Sequence, residues 1–314
     1  MKKVMIFGGG TGLSCILSGL KMFPMEVTSV IAVSDDGSST GVLKEELDIP
    51  AVGDLGKVLL SMANVDEDFL QLLSYRFRKD GTLYNHPVRN ILLAALIDLK
   101  GNLSEASKYM CKLLNIKGEV LPLTEEKVDL IGHGDTGTYV GECEVSQNIR
   151  NIDELTYDHP IRVSWEVIEK MKEADLIILS PGSLYTSIIP HLIAPDVRKT
   201  LGEVKAPIMY ISNLVCQSGE TDEYTVGDHV KALNRYLGER KVDLVLANNG
   251  QVDEKITDVY RTKEQKSIVT LDQEELERLG VTVIADDVVQ IDDNGSIRHN
   301  EIKTAYLVFS YLMK

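Results

Sequence analysis

Short apolar runs alternate along most of the chain with longer stretches whose apolar positions recur every three or four residues. The first kind marks strands. Runs at residues 4–7, 27–33, 176–179, 208–211, 244–247 and 281–285 read as strands buried on both faces, as the central strands of a parallel sheet are. The second kind predicts amphipathic helices over residues 13–22, 54–64, 66–78, 90–99, 104–115, 226–237 and 274–279. Gly238 suits a helix stop, and Asp272 with Glu275 has capping-box spacing for the last helix. Such alternation is the pattern of βα units, so the expected architecture is α/β: a Rossmann-like three-layer α/β/α fold around a mostly parallel sheet.

The middle of the chain breaks the pattern. Residues 119–123, 128–131 and 138–145 include alternating, antiparallel-looking segments set among Gly132, Gly134 and Gly137, which predicts a small inserted β region at about residues 118–160. No linker, repeat or low-complexity tract divides the remainder, so one α/β domain over residues 1–314 is expected. Residues 302–312 have helical apolar spacing and are expected to pack on the sheet as a closing helix.

Charge and length narrow the function classes. With 33 Lys and Arg against 48 Asp and Glu the net charge is −15, a surface that repels nucleic acid and anionic lipid. No apolar run approaches the ~20 residues of a membrane helix, and the apolar stretch at residues 4–7 ends in glycines rather than forming a signal-peptide core. A cytoplasmic protein with no membrane span and no nucleic-acid partner is expected. Cys15, Cys111, Cys143 and Cys216 lie far apart without a C-x-x-C pair, which argues for reduced thiols rather than a zinc or redox motif.

The candidate chemistry collects where predicted strands end. Gly8, Gly9, Gly10, Thr11 and Gly12 follow the first strand and open the first helix, where bare backbone and unpaired helix N–H groups can approach a phosphate. The segment is neither a G-x-G-x-x-G fingerprint, because Leu13 or Cys15 stands where the third glycine would be, nor a P-loop. After the second strand, Asp35 and Asp36 could hold Mg²⁺ bridging a ligand's phosphates, or one could accept bonds from a ribose. Asp54 follows Gly53 at a helix start, where it reads equally as an N-cap or a ligand contact, with Lys57 nearby as a phosphate partner. His86, Arg89 and Asn90 cluster at another helix start. Gly182, Ser183 and Leu184 lie in the loop 180–187 after the third strand, Asn213 follows the fourth, and Asn249 closes the fifth. In an open parallel sheet these ends share one edge, so a phosphorylated, polar ligand is the economical reading. Ser183 sits in P-G-S-L and not in G-x-S-x-G, which gives a hydrolase elbow little support. His133 and Asp135 read better as a glycine-rich hairpin than as metal ligands.

These motifs together resemble the CofD-like family, which contains 2-phospho-L-lactate transferase and the bacterial gluconeogenesis factors. The likeness runs over nearly the whole chain through Gly8 to Gly12, Val33-Ser34-Asp35-Asp36-Gly37, Gly53-Asp54, His86 with Asn90, the P-G-S-L-Y-T-S loop at residues 181–187, and Gln217-Ser218-Gly219-Glu220-Thr221 with Asp228-His229. The last two segments are similar to the gluconeogenesis-factor (YvcK-type) branch. The resemblance implies a nucleoside-diphosphate-conjugate site that includes Gly9, Gly10, Thr11, Asp35, Asp36, Asn90, Ser183, Leu184, Asn213 and Asn249. For this branch it further implies UDP-sugar binding, a regulatory role in cell shape and cell-wall synthesis during gluconeogenic growth, protein partners in that synthesis, a homodimer and no established reaction. For the other branch it implies transfer of a phospholactyl group from a guanosine diphosphate conjugate to a deazaflavin, with Mg²⁺. Two departures touch charge: Gly56 stands where the family carries an arginine, and Arg89 stands where it carries a glycine. Arg89 is therefore expected to return the missing positive charge from the neighbouring loop.

Overall fold

A computed structural model describes residues 1–314. The chain begins β1 (Lys2–Gly8), α1 (Gly10–Leu20), β2 (Met25–Ile31), α2 (Ser38–Leu47), α3 (Gly53–Met62), α4 (Glu67–Ser74), α5 (Val88–Lys100) and α6 (Leu103–Leu113). It continues through β3 (Glu119–Pro122), β4 (Leu130–Gly134), β5 (Gly137–Val140), α7 (Glu142–Asn148), β6 (Ile152–Tyr157), α8 (Trp165–Glu173) and β7 (Leu176–Leu179). A π-helical turn (Leu184–Ile188) leads into α9 (Ile189–Leu192), α10 (Pro195–Glu203), β8 (Ile208–Ile211), α11 (Val226–Tyr236) and β9 (Leu244–Asn248). The last part holds α12 (Glu254–Val259), a second π turn (Tyr260–Glu264), α13 (Gln273–Arg278), β10 (Thr282–Asp286), the hairpin β11 (Val289–Ile291) and β12 (Ile297–His299), and α14 (Glu301–Leu312).

Seven strands form a wholly parallel sheet in the order β10-β9-β8-β7-β1-β2-β3. All six predicted strands are in it, but only five lie inside: the run at 281–285 forms the edge strand β10, partly exposed rather than buried on both faces. Val4 to Phe7 and Leu176 to Leu179 are completely buried, because each lies between two neighbours with helices on both faces. From β1 the chain winds outward through β2 and β3, then returns to the other side of β1 at β7 and winds outward again. This reversal puts a topological switch point between β1 and β7, the place where doubly wound sheets open a ligand crevice. The register fixes its depth: Phe7 lies opposite Leu179, and the Ser180 amide donates to the Phe7 carbonyl at 3.0 Å, so the loops after β1 and β7 emerge side by side.

Several expectations need correction. Residues 119–122 are not part of an inserted sheet; they pair with β2 as the parallel edge strand β3, where Pro122 is tolerated because an edge carries no obligatory donor on its outer side. The antiparallel sheet is smaller, β5-β4-β6, and the expected strand 138–145 stops at Val140 and becomes α7. His133 and Asp135 sit in its exposed hairpin, bonded to Thr138 and Asn151. The helix expected over 66–78 ends at Ser74, and α2, α8, α9, α10 and α12 are not among the predicted helices. α14 packs on α1 rather than directly on the sheet, so closely that a Cβ on Gly19 would collide with the Glu301 carbonyl.

Helix ends show why local spacing misleads. Asp272 precedes α13 but its side chain does not cap it; it accepts instead from the Gly227 amide at 2.8 Å and the Thr225 hydroxyl at 2.7 Å. The capping box belongs to α11, between Thr225 and Asp228, and Gly238 ends that helix at φ +70° as expected. Asp272→Ala should therefore leave the Gly227 amide in the first turn of α11 without its acceptor, lowering stability by about 1–2 kcal/mol in urea unfolding; helical content lost from α13 alone would show the local reading to be right.

Candidate functional site

The glycine turn after β1 delivers an uncapped helix. α1 begins at Gly10 with Gly9 as N-cap and no side chain closing its first turn, so its leading N–H groups have no acceptor within the helix. Side-chain-free backbone is required here by close approach. A Cβ on Gly12 would strike the Pro181 carbonyl, and one on Gly9 would stand 2.5 Å from Asp54 Oδ2.

The facing loop is held by two side chains. Asn213 brackets Gly182, accepting from its amide at 2.9 Å and donating to its carbonyl at 2.8 Å. Glu220 accepts from the Ser183 hydroxyl at 2.6 Å and the Tyr185 amide at 2.7 Å. Ser183 in turn accepts from the Thr186 amide at 3.0 Å as the cap of the π turn. These bonds change the roles expected of three residues. The Gly182 amide is already taken, Ser183 is a cap rather than a free nucleophile, and the Leu184 side chain is wholly buried in the core.

Between the two loops lies a cavity of about 510 Å³ lined by Gly9 to Gly12, Gly182, Ser183, Asn213, Lys266 and Arg298, among others. Asn249 is not in its wall; it is exposed at the end of β9, two strands from β7. Lys266 and Arg298 also line it, although neither follows a predicted strand. Lys266 reaches the cavity from the segment after the second π turn, which bridges to Val215 through Ile268, and Arg298 from the β11–β12 hairpin. His299, beside Arg298, holds the Ser212 carbonyl at 3.1 Å, and burial lowers its pKa to about 4, so it is neutral at neutral pH. The Cys15 thiol on the same wall is pushed up to about 11 by burial and the Glu301 charge, which leaves it protonated and unreactive.

On the β2 side of Gly9, outside the wall of that cavity, acidic side chains gather. Asp54 lies in the first turn of α3 but does not cap it: Oδ1 binds Lys57 at 2.8 Å and Oδ2 faces Gly9. Asp35 accepts from the Gly37 amide at 2.9 Å, and its carboxyl is raised above the usual range by burial and by Asp54. Asp36 turns the other way, accepting from the Cys143 amide at 2.9 Å in the first turn of α7 and so tethering the inserted sheet. The two adjacent carboxylates do not converge as a chelate, and no group of three or more His, Cys, Asp or Glu has metal-binding geometry. His86 bonds Ser39 at 2.8 Å through Nδ1, and Asn90 donates to the same hydroxyl at 3.3 Å, a buried chain that joins α5 to α2.

Glu142 completes this acidic group, and nothing at its position in the sequence announces it. It enters from α7, and burial, followed by the charges of Asp35 and Asp54, raises its pKa well above the ordinary carboxyl value. A carboxyl raised in the fold favours the native state below its unfolded pKa, and that stability is lost as pH rises through the folded value. Glu142→Gln should therefore raise the melting temperature more at pH 8 than at pH 5 in scanning calorimetry; an equal shift at both would mean Glu142 does not titrate differently in the fold.

The fold and crevice define a class: a doubly wound α/β protein with a cavity at its switch point, between the glycine turn after β1 and the loop after β7. The family model for 2-phospho-L-lactate transferase CofD matches residues 4–289, and the chain belongs to this family. It is 39% identical to the gluconeogenesis factor of Bacillus subtilis over 314 residues, covering 99% of this chain and 98% of that protein. It is 36% identical to the gluconeogenesis factor of Halalkalibacterium halodurans, covering 97% and 94%. A crystal structure of a UPF0052 family member from Bacillus halodurans superposes with a TM-score of 0.92 at 35% identity, over 98% of this chain and 99% of the other.

Proposed function

We propose that this protein is a cytoplasmic nucleotide-sugar-binding regulator of the gluconeogenesis-factor type. It binds a UDP-sugar and acts in cell morphogenesis and cell-wall synthesis during gluconeogenic growth. The supporting observation is the pairing of an uncapped α1 N-terminus with two cations, Lys266 and Arg298, on one cavity in a chain of net charge −15. Helix dipole, free amides and cations together suit a pyrophosphate. The neighbouring hydroxyls and amides suit a sugar. No activated nucleophile faces the cavity: Ser183 is a cap and Cys15 is protonated. Such a regulator reports through what it binds, so its partners would be proteins of cell-wall synthesis that read the loaded state, alone or as a homodimer.

The acidic group favours a second reading, a transferase of the phospholactyl type. Asp35, Asp54 and Glu142 lie beside the glycine turn, where a Mg²⁺ could be held jointly by Asp35 and a ligand's phosphates. That ion would offset charge on a diphosphate leaving group.

Calorimetry with UDP-glucose and with guanosine diphosphate conjugates, each with and without Mg²⁺, separates the readings. The regulator binds UDP-glucose without turnover, and Arg298→Ala weakens that binding about 10- to 150-fold, the equivalent of one charge-assisted hydrogen bond. Consumption of a guanosine conjugate with a deazaflavin acceptor, followed by phosphorus NMR, would replace the regulator with the transferase.

A further inference from the structure

We propose that Arg89, on the far side of Asp54 from the glycine turn, is the centre of a second subsite, which takes an oxyanion carried by the sugar end of the ligand. That the oxyanion belongs to a nucleotide sugar rests on the function proposed above; that Arg89 binds an oxyanion does not.

Arg89 is only 7% exposed, yet its guanidinium makes no hydrogen bond and no ion pair, and its Nε is sealed from solvent without a partner. A cation buried this way is normally paired. Other enclosed cations here obey the rule. Lys44 binds Asp129 at 2.6 Å and the Val128 carbonyl, and Arg240 binds Asp243 and three backbone carbonyls. Around Arg89 the balance is cationic: Arg76 and Lys57 repel it, and the attracting carboxylate, Asp54, is already bound to Lys57 at 2.8 Å. Burial lowers its pKa only to about 10, so the charge is retained at neutral pH.

Its place on the helix adds a second cost. Arg89 is in the first turn of α5, a 13-residue helix with no acidic residue in that turn and no side-chain cap, so a positive side chain sits at the positive end of the dipole. An anion there would satisfy both. Asn90 Oδ1, the next residue's acceptor, is likewise buried and unpartnered. Both groups flank Gly56, where an added Cβ would stand 3.3 Å from Arg89 Cδ and 3.4 Å from Asn90 Oδ1. An unpaired cationic donor beside an unpaired acceptor suits a group bearing an oxyanion and a hydroxyl, so the ligand class is a nucleotide sugar whose sugar is acidic, a sugar acid or sugar phosphate.

The test uses the full chain and reads Arg89 directly. In ¹⁵N-labelled protein the arginine Nε–H resonance absent from Arg89→Gln is followed during titration with inorganic phosphate, D-glucuronate and D-glucose. Phosphate or glucuronate should shift it and glucose should not; the anion that acts identifies the group as phosphoryl or carboxylate. No shift with either anion overturns the subsite. Ligand-free Arg89→Gln should melt higher than the parent, since an uncompensated buried charge has been removed, and a lower melting temperature would mark Arg89 as structural. Calorimetry then compares UDP-glucuronate with UDP-glucose: at least tenfold preference for the acidic sugar, collapsing to about one in Arg89→Gln and partly kept in Arg89→Lys, is expected. Equal affinities in the parent overturn the placement of an acidic sugar there. If neither nucleotide binds while the Arg89 resonance still answers anions, the nucleotide-sugar function fails and the subsite stands.

Discussion

The structure depends on β1 being hydrogen-bonded on both sides to parallel strands that enter from opposite directions of winding. Its register against β7 places two main-chain loops at one height, and its pairing with β2 places an acidic loop beside them. Parallel strands cannot be joined by tight turns, so every neighbour of β1 requires a crossover, and the crossovers leave the carboxyl edge free. The crevice is the gap left where two crossovers depart in opposite senses.

The gap is lined by groups held in place by others. Asn213 and Glu220 fix the loop after β7, and the glycine turn is fixed by what a side chain would strike. Such a site is preorganised: the amides point before any ligand arrives, which limits the entropy lost on binding. The inserted sheet contributes in the same way. Asp36 anchors α7, and α7 carries Glu142 to the group of Asp35 and Asp54.

Charge around the glycine turn is divided. One side has a helix dipole with Lys266 and Arg298, and the other has Asp35, Asp54 and Glu142 with Lys57 and Arg89 set among them.

The chain's own pattern was enough to identify the parallel sheet, six of its seven strands, and the close-packed glycine turn after the first of them. Each of these is local: burial on both faces shows as a continuous apolar run, and close backbone approach shows as glycine. The edge strand β3, the helix α7 and the true partner of Asp272 were not legible, because pairing and capping are settled between segments distant in the chain. The same holds for the site. Gly9 to Gly12 could be found from their own neighbours, whereas Lys266, Arg298, Glu142 and Glu220 matter only for where the crossovers deliver them. Leu184 and Asn249 show the converse, since a residue's place at a strand end does not say whether its side chain faces ligand, core or solvent. Only the packed sheet, through its order and register, decides that.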